Sequence, residues 1–229
     1  MLKNFSASTW PLLQNLRQYQ ASALRLLRKA RSGPAASLFL KEWLVRPGAV
    51  GAVWPSSGQL ARLMAAQISQ IGDGLIVELG AGTGVVTQAL LDAGVPANRL
   101  WVVEQSPAFV QHLRHRFPAL TVVGGDAADL QALLPANMHV GAIVSSLPLR
   151  SLPANTVADV VLQWRACLSP GANVVQFTYA LWGAQEALAD GFSQKSVRYA
   201  WLNVPPARVC CYRREQADIG LPQMGRLPD

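Results

Sequence analysis

Apolar and polar positions divide the middle of the chain into short buried runs separated by helical stretches. Leu75-Ile76-Val77 is an uninterrupted, partly β-branched run, as expected of a strand buried on both faces. Val85 to Leu91 follows with its apolar groups along one helical face, and it stops at Ala93-Gly94, where glycine accommodates a left-handed C-terminal residue. The alternation repeats. Leu100 to Glu104 and Leu120 to Val123 predict a second and a third strand, with a helix after Pro107 between them, and Val140 to Ser146 predicts a fourth. Val157 to Leu168 predicts a helix, and Ala172 to Tyr179 a fifth strand after Pro170-Gly171. Val197 to Val204 and Arg208 to Arg213, separated by Pro205-Pro206, predict a closing antiparallel pair. Strands alternating with helices imply a doubly wound, mostly parallel sheet, whose ligand lies outside the carboxyl ends of the strands.

Upstream the period is helical and the character changes. Between Pro11 and Gly33, Leu12, Leu16, Tyr19, Ala23, Leu26, Leu27 and Ala30 project within about 100° of one another, with Arg17, Arg25 and Arg28 opposite. Ser8 or Thr9 can cap this helix, and Gly33-Pro34 ends it. A second helical pattern runs from Leu60 to Ile71, after Trp54-Pro55-Ser56-Ser57, where Pro55 holds Trp54 extended and either serine can cap.

Charge sharpens the division. The first fifty residues carry eight basic side chains against Glu42 alone, and the other 179 carry twelve of each sign, so the whole excess of +7 sits on the N-terminal extension. A basic amphipathic helix suits an anionic membrane surface, a lid packed on the domain, or RNA phosphates. The expected organisation is an entry segment over 1–58, a folded domain over 59–215 and a loose tail over 216–229. With 51% hydrophobic residues in 229, the chain can bury one sizeable core. No apolar run approaches the roughly 20 residues needed to span a bilayer, so the expectation is a cytoplasmic protein. Cys167, Cys210 and Cys211 read as reduced core or strand residues. His112, His115 and His139 lack metal-ligand spacing, so no metal is expected.

The chemistry concentrates in Glu78-Leu79-Gly80-Ala81-Gly82-Thr83-Gly84, between the first strand and its helix. Dinucleotide folds space these glycines as G-x-G-x-x-G to fit a pyrophosphate, whereas here the spacing is G-x-G-x-G. The turn resembles the first motif of the class I methyltransferases, which bind S-adenosylmethionine, and the resemblance implies a Rossmann-like α/β fold with a seven-stranded sheet and helices on both faces. Glu78, Gly80, Gly82 and Gly84 are then cofactor candidates. Glu104, at the end of the second strand, can accept hydrogen bonds from both ribose hydroxyls. Asp126, with Ala127 beside it, resembles the family's adenine partner, and Ser145 completes the set.

Residues Phe39 to Ser57, together with the basic helix and the loop Ser146-Leu147-Pro148-Leu149, resemble the bacterial phospholipid N-methyltransferases. That resemblance implies methylation of phosphatidylethanolamine towards phosphatidylcholine, by a protein held peripherally at the inner face of the cytoplasmic membrane through residues 9–32. Ser146 and the carbonyls around Leu147 would orient the amine, with Tyr179 hydrogen-bonding the headgroup. Arg46 and Arg150 are candidate phosphate partners, Trp43, Trp54, Tyr179 and Trp182 candidate cation-binding rings and Pro148 part of the acceptor wall. Ribosomal RNA adenine dimethylases carry Asn-Leu-Pro-Tyr at the same loop, so Ser146 and Leu149 argue against nucleic acid, base stacking being worth about 1–3 kcal/mol. An RNA or small-amine methyltransferase, or a non-catalytic cofactor-binding module, are the competing readings.

Overall fold

The computed structural model describes residues 55–68, 74–136, 138–180, 186–203 and 206–215. The basic helix, Trp43, Arg46, Trp54, Trp182 and the tail from 216 lie outside the described residues. The elements are α1 (Pro55–Ala66), β1 (Leu75–Leu79), α2 (Val85–Asp92), β2 (Leu100–Glu104), α3 (Pro107–Arg116), β3 (Thr121–Gly124), α4 (Leu130–Leu133), β4 (Val140–Ser145), α5 (Ala154–Cys167), β5 (Leu168–Thr178), β6 (Phe192–Ala200) and β7 (Ala207–Arg214).

One seven-stranded sheet runs in the order β3-β2-β1-β4-β5-β7-β6. The first five strands are parallel, and β7 inserts antiparallel between β5 and β6. Strand order reverses between β1 and β4, which opens the ligand crevice at their carboxyl ends. All residues of β1 and β4 are buried, as their unbroken apolar runs require of central strands covered on both faces. Ile76, Val102, Val122, Ala142 and Val144 pack against α1, α2 and α3 on one face. Val77, Leu79, Ile143 and Val174 pack on the other against α5, whose Trp164 is fully buried. Free Cys210 and Cys211 follow one another along β7 and enter opposite cores.

Four boundaries differ from the pattern-based expectation. α1 spans Pro55–Ala66 against an expected Leu60 to Ile71, because proline is tolerated in a helix's first turn, so Ser56 and Ser57 fall inside the helix they were expected to cap. β6 begins at Phe192 and ends at Ala200, because Ser193 and Gln194 pair with β7 although their polar side chains hide the strand signal on this edge of the sheet. β5 begins at Leu168, with Pro170-Gly171 absorbed inside it. Leu168 pairs with Val140 and Asn173 with Ala142, so extra β5 residues bulge out, and Gly171 takes a φ of 79° there. α5 starts a turn early, at Ala154, directly after Pro153.

Candidate functional site

The glycine turn leaves β1 with φ values of 71°, 55° and 79° at Gly80, Gly82 and Gly84, a left-handed region costly for any side chain. Their surroundings differ. A Cβ on Gly80 would lie 2.9 Å from Leu147 Cδ2, so this glycine lets the loop after β4 seat directly on the turn. A Cβ on Gly84 would lie 2.5 Å from a ring carbon of Phe117, at the end of α3. A Cβ on Gly82 would meet nothing within 4 Å among the described residues, so the turn's open side, where a ligand can approach the backbone, is at Gly82.

Glu104 ends β2 beside that opening and is 8% exposed. Its Oε2 accepts from Gly82 N–H at 2.8 Å and its Oε1 from Ser106 N–H at 2.9 Å. A carboxylate offers about four lone-pair sites, so about two remain for a diol. Arg116 steadies the turn from the far side, donating to the Thr83 carbonyl at 2.8 Å. Glu78 lies beneath the turn, fully buried, with neither oxygen in a well-formed hydrogen bond among the described residues. Burial raises its acid to about 7; the hydroxyl and N–H of Thr87, at the start of α2, lower it in part, and repulsion from Glu104 adds to the rise. Glu78 therefore supports the turn from inside and does not reach the ligand surface, unlike its expected place among the direct contacts.

Asp126 follows β3. Its Oδ1 accepts from Ala128 N–H at 2.9 Å and its Oδ2 from Gln105 Nε2 at 2.8 Å, while Gly125 N–H donates to the Glu104 carbonyl at 3.1 Å. These bonds bring the ends of β2 and β3 together beside an open depression of about 590 Å³ lined by Gln105, Pro107, Gly124 and Gly125. Buried Ala127 sits under the same turn.

The loop after β4 is tied from three directions. Ser146 N–H donates to the Leu79 carbonyl at 2.9 Å, and Leu147 N–H to the buried Ser145 hydroxyl at 3.3 Å. Gln176, fully buried on β5, donates through Nε2 to the carbonyls of Leu147 at 2.9 Å and Phe177 at 2.7 Å. The Leu147 carbonyl also accepts from Leu149 N–H at 2.9 Å, which saturates it, so it is not the acceptor-orienting group expected from sequence. The buried Ser146 hydroxyl makes no hydrogen bond among the described residues. Pro148 is half-buried, Arg150 is exposed on the turn beyond it, and Leu149 points into the core at 6% exposure.

Tyr179 stands just past β5, its ring edge-on to Phe177 at 5.4 Å between centroids. Burial pushes its phenol up to about 12, with Asn203 as the hydrogen-bonding partner that offsets this in part. At neutral pH it is a hydrogen-bonding group and not a base. The carboxyl ends of β1 to β4 thus bring together Gly80, Gly82, Glu104, Asp126, Ser145 and Ser146, with Tyr179 one strand further along.

Gln176, Gln105 and Arg116 were missed from sequence. The first had a signal, a lone amide inside the apolar run Val174-Val175-Gln176-Phe177, since a buried amide requires partners. Replacing Gln176 with Leu frees two carbonyls and unties the loop. Methyl-transfer kcat should fall roughly tenfold while cofactor Kd holds, as single-turnover kinetics beside calorimetry would show; a parallel loss of both would refute the loop-positioning role.

Comparison with known proteins agrees with this geometry. A methyltransferase domain family matches residues 76–171. The ornithine lipid N-methyltransferase of Singulisphaera acidiphila is 31% identical over 175 residues, 74% of this chain and 91% of that protein. Ribosomal RNA small subunit methyltransferase A of Phenylobacterium zucineum is 32% identical over 108 residues, 43% of this chain and 33% of its own. The structure of the N-methyltransferase NodS from Bradyrhizobium japonicum with S-adenosyl-L-homocysteine superposes with a TM-score of 0.55, covering 69% of this chain and 86% of that one at 14% identity, a likeness of fold.

Proposed function

This chain belongs to the class I S-adenosylmethionine-dependent methyltransferases, and from that premise we propose that it methylates the amine of a membrane lipid, phosphatidylethanolamine and its methylated derivatives first among them, towards phosphatidylcholine. The observation that carries the reading is the relative that acts on a lipid amine, matched over 91% of its length. The loop after β4 supports it, because Leu149 is packed into the core where a base-reading enzyme would present an aromatic face.

S-adenosylmethionine supplies a methyl group on a sulfonium, open to in-line displacement by an amine lone pair. The residues fit that cofactor: Gly82 leaves the turn open, Glu104 keeps acceptor capacity for the ribose diol, and Asp126, bonded to Gln105, stands just past β3 where the base would lie. The protein's part is alignment and exclusion of water. Ser146 accepts from, or donates to, the acceptor nitrogen, held in place by Gln176 acting through the loop. Tyr179 hydrogen-bonds the headgroup as a neutral phenol, and Arg150 meets the lipid phosphate. Among the described residues no helix is long and apolar enough to cross a membrane, and the basic stretch 9–32 is the proposed attachment to the anionic inner face of the cytoplasmic membrane.

With Tyr179 protonated until about pH 12, the nucleophile's own ionisation governs the rate. Single-turnover methylation of a primary amine lipid should rise about tenfold per pH unit below the amine's pKa of about 10. A plateau near pH 7 would instead show a protein base. The deciding assay gives labelled S-adenosylmethionine to liposomes of phosphatidylethanolamine and an anionic lipid, to liposomes with ornithine lipid, and to matched RNA. Label in methylated phosphatidylethanolamine is the expected result. Label in ornithine lipid alone would keep the lipid class and change the headgroup, and label in RNA alone would overturn the reading.

A further inference from the structure

Among the described residues five large hydrophobic side chains are exposed, and three of them lie together, Tyr199 at the end of β6 and Trp201 and Leu202 in the turn that follows it. Trp201 is 62% and Leu202 75% exposed, and the Tyr199 and Trp201 rings stack in the open, 5.0 Å apart and 13° from parallel. An apolar cluster of this kind on a protein surface marks an interaction site.

Its position follows from the strand pairing. β5 and β6 both run antiparallel to β7, so their carboxyl ends share one edge of the molecule. Tyr199 lies opposite Arg208, and Arg208 opposite Thr178, the residue before Tyr179. Asn203, in the same turn, partners the Tyr179 phenol. The exposed aromatics therefore stand at the rim of the acceptor side, and Lys195 and Arg198 are exposed on the same edge strand. Tryptophan and tyrosine favour the headgroup level of a bilayer, leucine the acyl boundary, and cations the anionic phosphates.

We propose that the turn Tyr199–Leu202 is a wedge that enters the headgroup region of an anionic bilayer and presses the mouth of the acceptor site against it. This rests on the reading of the acceptor as a membrane lipid. It adds a second attachment, on the catalytic domain itself, to the one proposed for residues 9–32.

The test uses the full chain, unmodified and as the double variant Trp201→Ser/Leu202→Ser, with vesicles of phosphatidylethanolamine and phosphatidylglycerol. Both changes are at exposed positions outside the cofactor and acceptor groups, and S-adenosylmethionine affinity by calorimetry reports folding. Tryptophan quenching by brominated lipid should be stronger in the unmodified protein. The variant should partition about tenfold more weakly and methylate vesicle lipid about tenfold more slowly, while its rate on the same lipid dispersed in detergent is unchanged. Equal partitioning of the two proteins, or an equal loss of rate on vesicles and on dispersed lipid, would overturn the wedge. Loss of self-association in place of a vesicle effect would also overturn it, reassigning the turn to a protein interface. If neither protein methylates any lipid but partitioning still depends on the turn, the wedge stands and the lipid acceptor falls.

Discussion

Replacing Glu104 with alanine is expected to weaken S-adenosylmethionine binding by roughly 100-fold or more. The carboxylate uses one lone pair on Gly82 N–H and one on Ser106 N–H, which fixes its plane at the mouth of the turn. Two lone pairs remain for two ribose hydroxyls, and hydrogen bonds to a charged group contribute about 1.5–3 kcal/mol each. Both together come to at least about 3 kcal/mol, and every 1.4 kcal/mol is about a factor of ten. Alanine also releases the Gly82 N–H, so the turn loses its shape as well as its acceptor. Glu104→Gln, which keeps a single acceptor oxygen and sets an NH₂ against one of the two N–H donors, should fall between. Calorimetric titration measures all three proteins; an alanine variant that binds as tightly as the parent would remove Glu104 from the ribose site.

The second large effect has the opposite sign. Glu78→Gln should stabilise the fold above neutral pH by about 3 kcal/mol and do nothing of the kind at pH 4. Glu78 is sealed under the turn with an acid raised from 4.5 to about 7, chiefly by burial. Below the unfolded value the group is neutral in both states and carries no penalty. As pH rises from about 4.5 to 7 the unfolded chain ionises first, so stability drains away, and above 7 the loss is complete. A gap of about 2.5 units at about 1.4 kcal/mol each sets the size. Glutamine cannot ionise and avoids the drain. Urea midpoints of both proteins at pH 4, 6 and 8 would show the gap open with pH; a gap independent of pH would mean that glutamine acts through packing.

The legible parts of this molecule were those whose cause is local. β1 to β3 are short apolar runs closed by a glycine or an acid, β4 is one closed by two serines, and the three glycines mark a turn that other side chains cannot follow. Glu104 and Asp126 were visible as acids at strand ends, and the structure puts Glu104 at the end of β2 and Asp126 just past β3. What stayed hidden was set by partners far along the chain. Gln176 and the Leu147 carbonyl meet across 29 positions, so neither the clamp nor the loss of that carbonyl as an acceptor group could be read from the loop alone. β6 was misplaced because an edge strand needs only one partner and tolerates Ser193, Gln194 and Lys195 at its start. Glu78 looked like a contact residue because composition does not reveal which side of a turn its side chain takes.

The contact between Gly80 and Leu147 sets a limit for anyone redesigning this enzyme. A side chain added at Gly80 would begin 2.9 Å from Leu147 Cδ2 on a backbone with a φ of 71°, so the glycine turn and the loop after β4 cannot be altered separately at this point. A bulkier residue at either position would displace the other, so a change made in the loop after β4 would also be felt in the glycine turn.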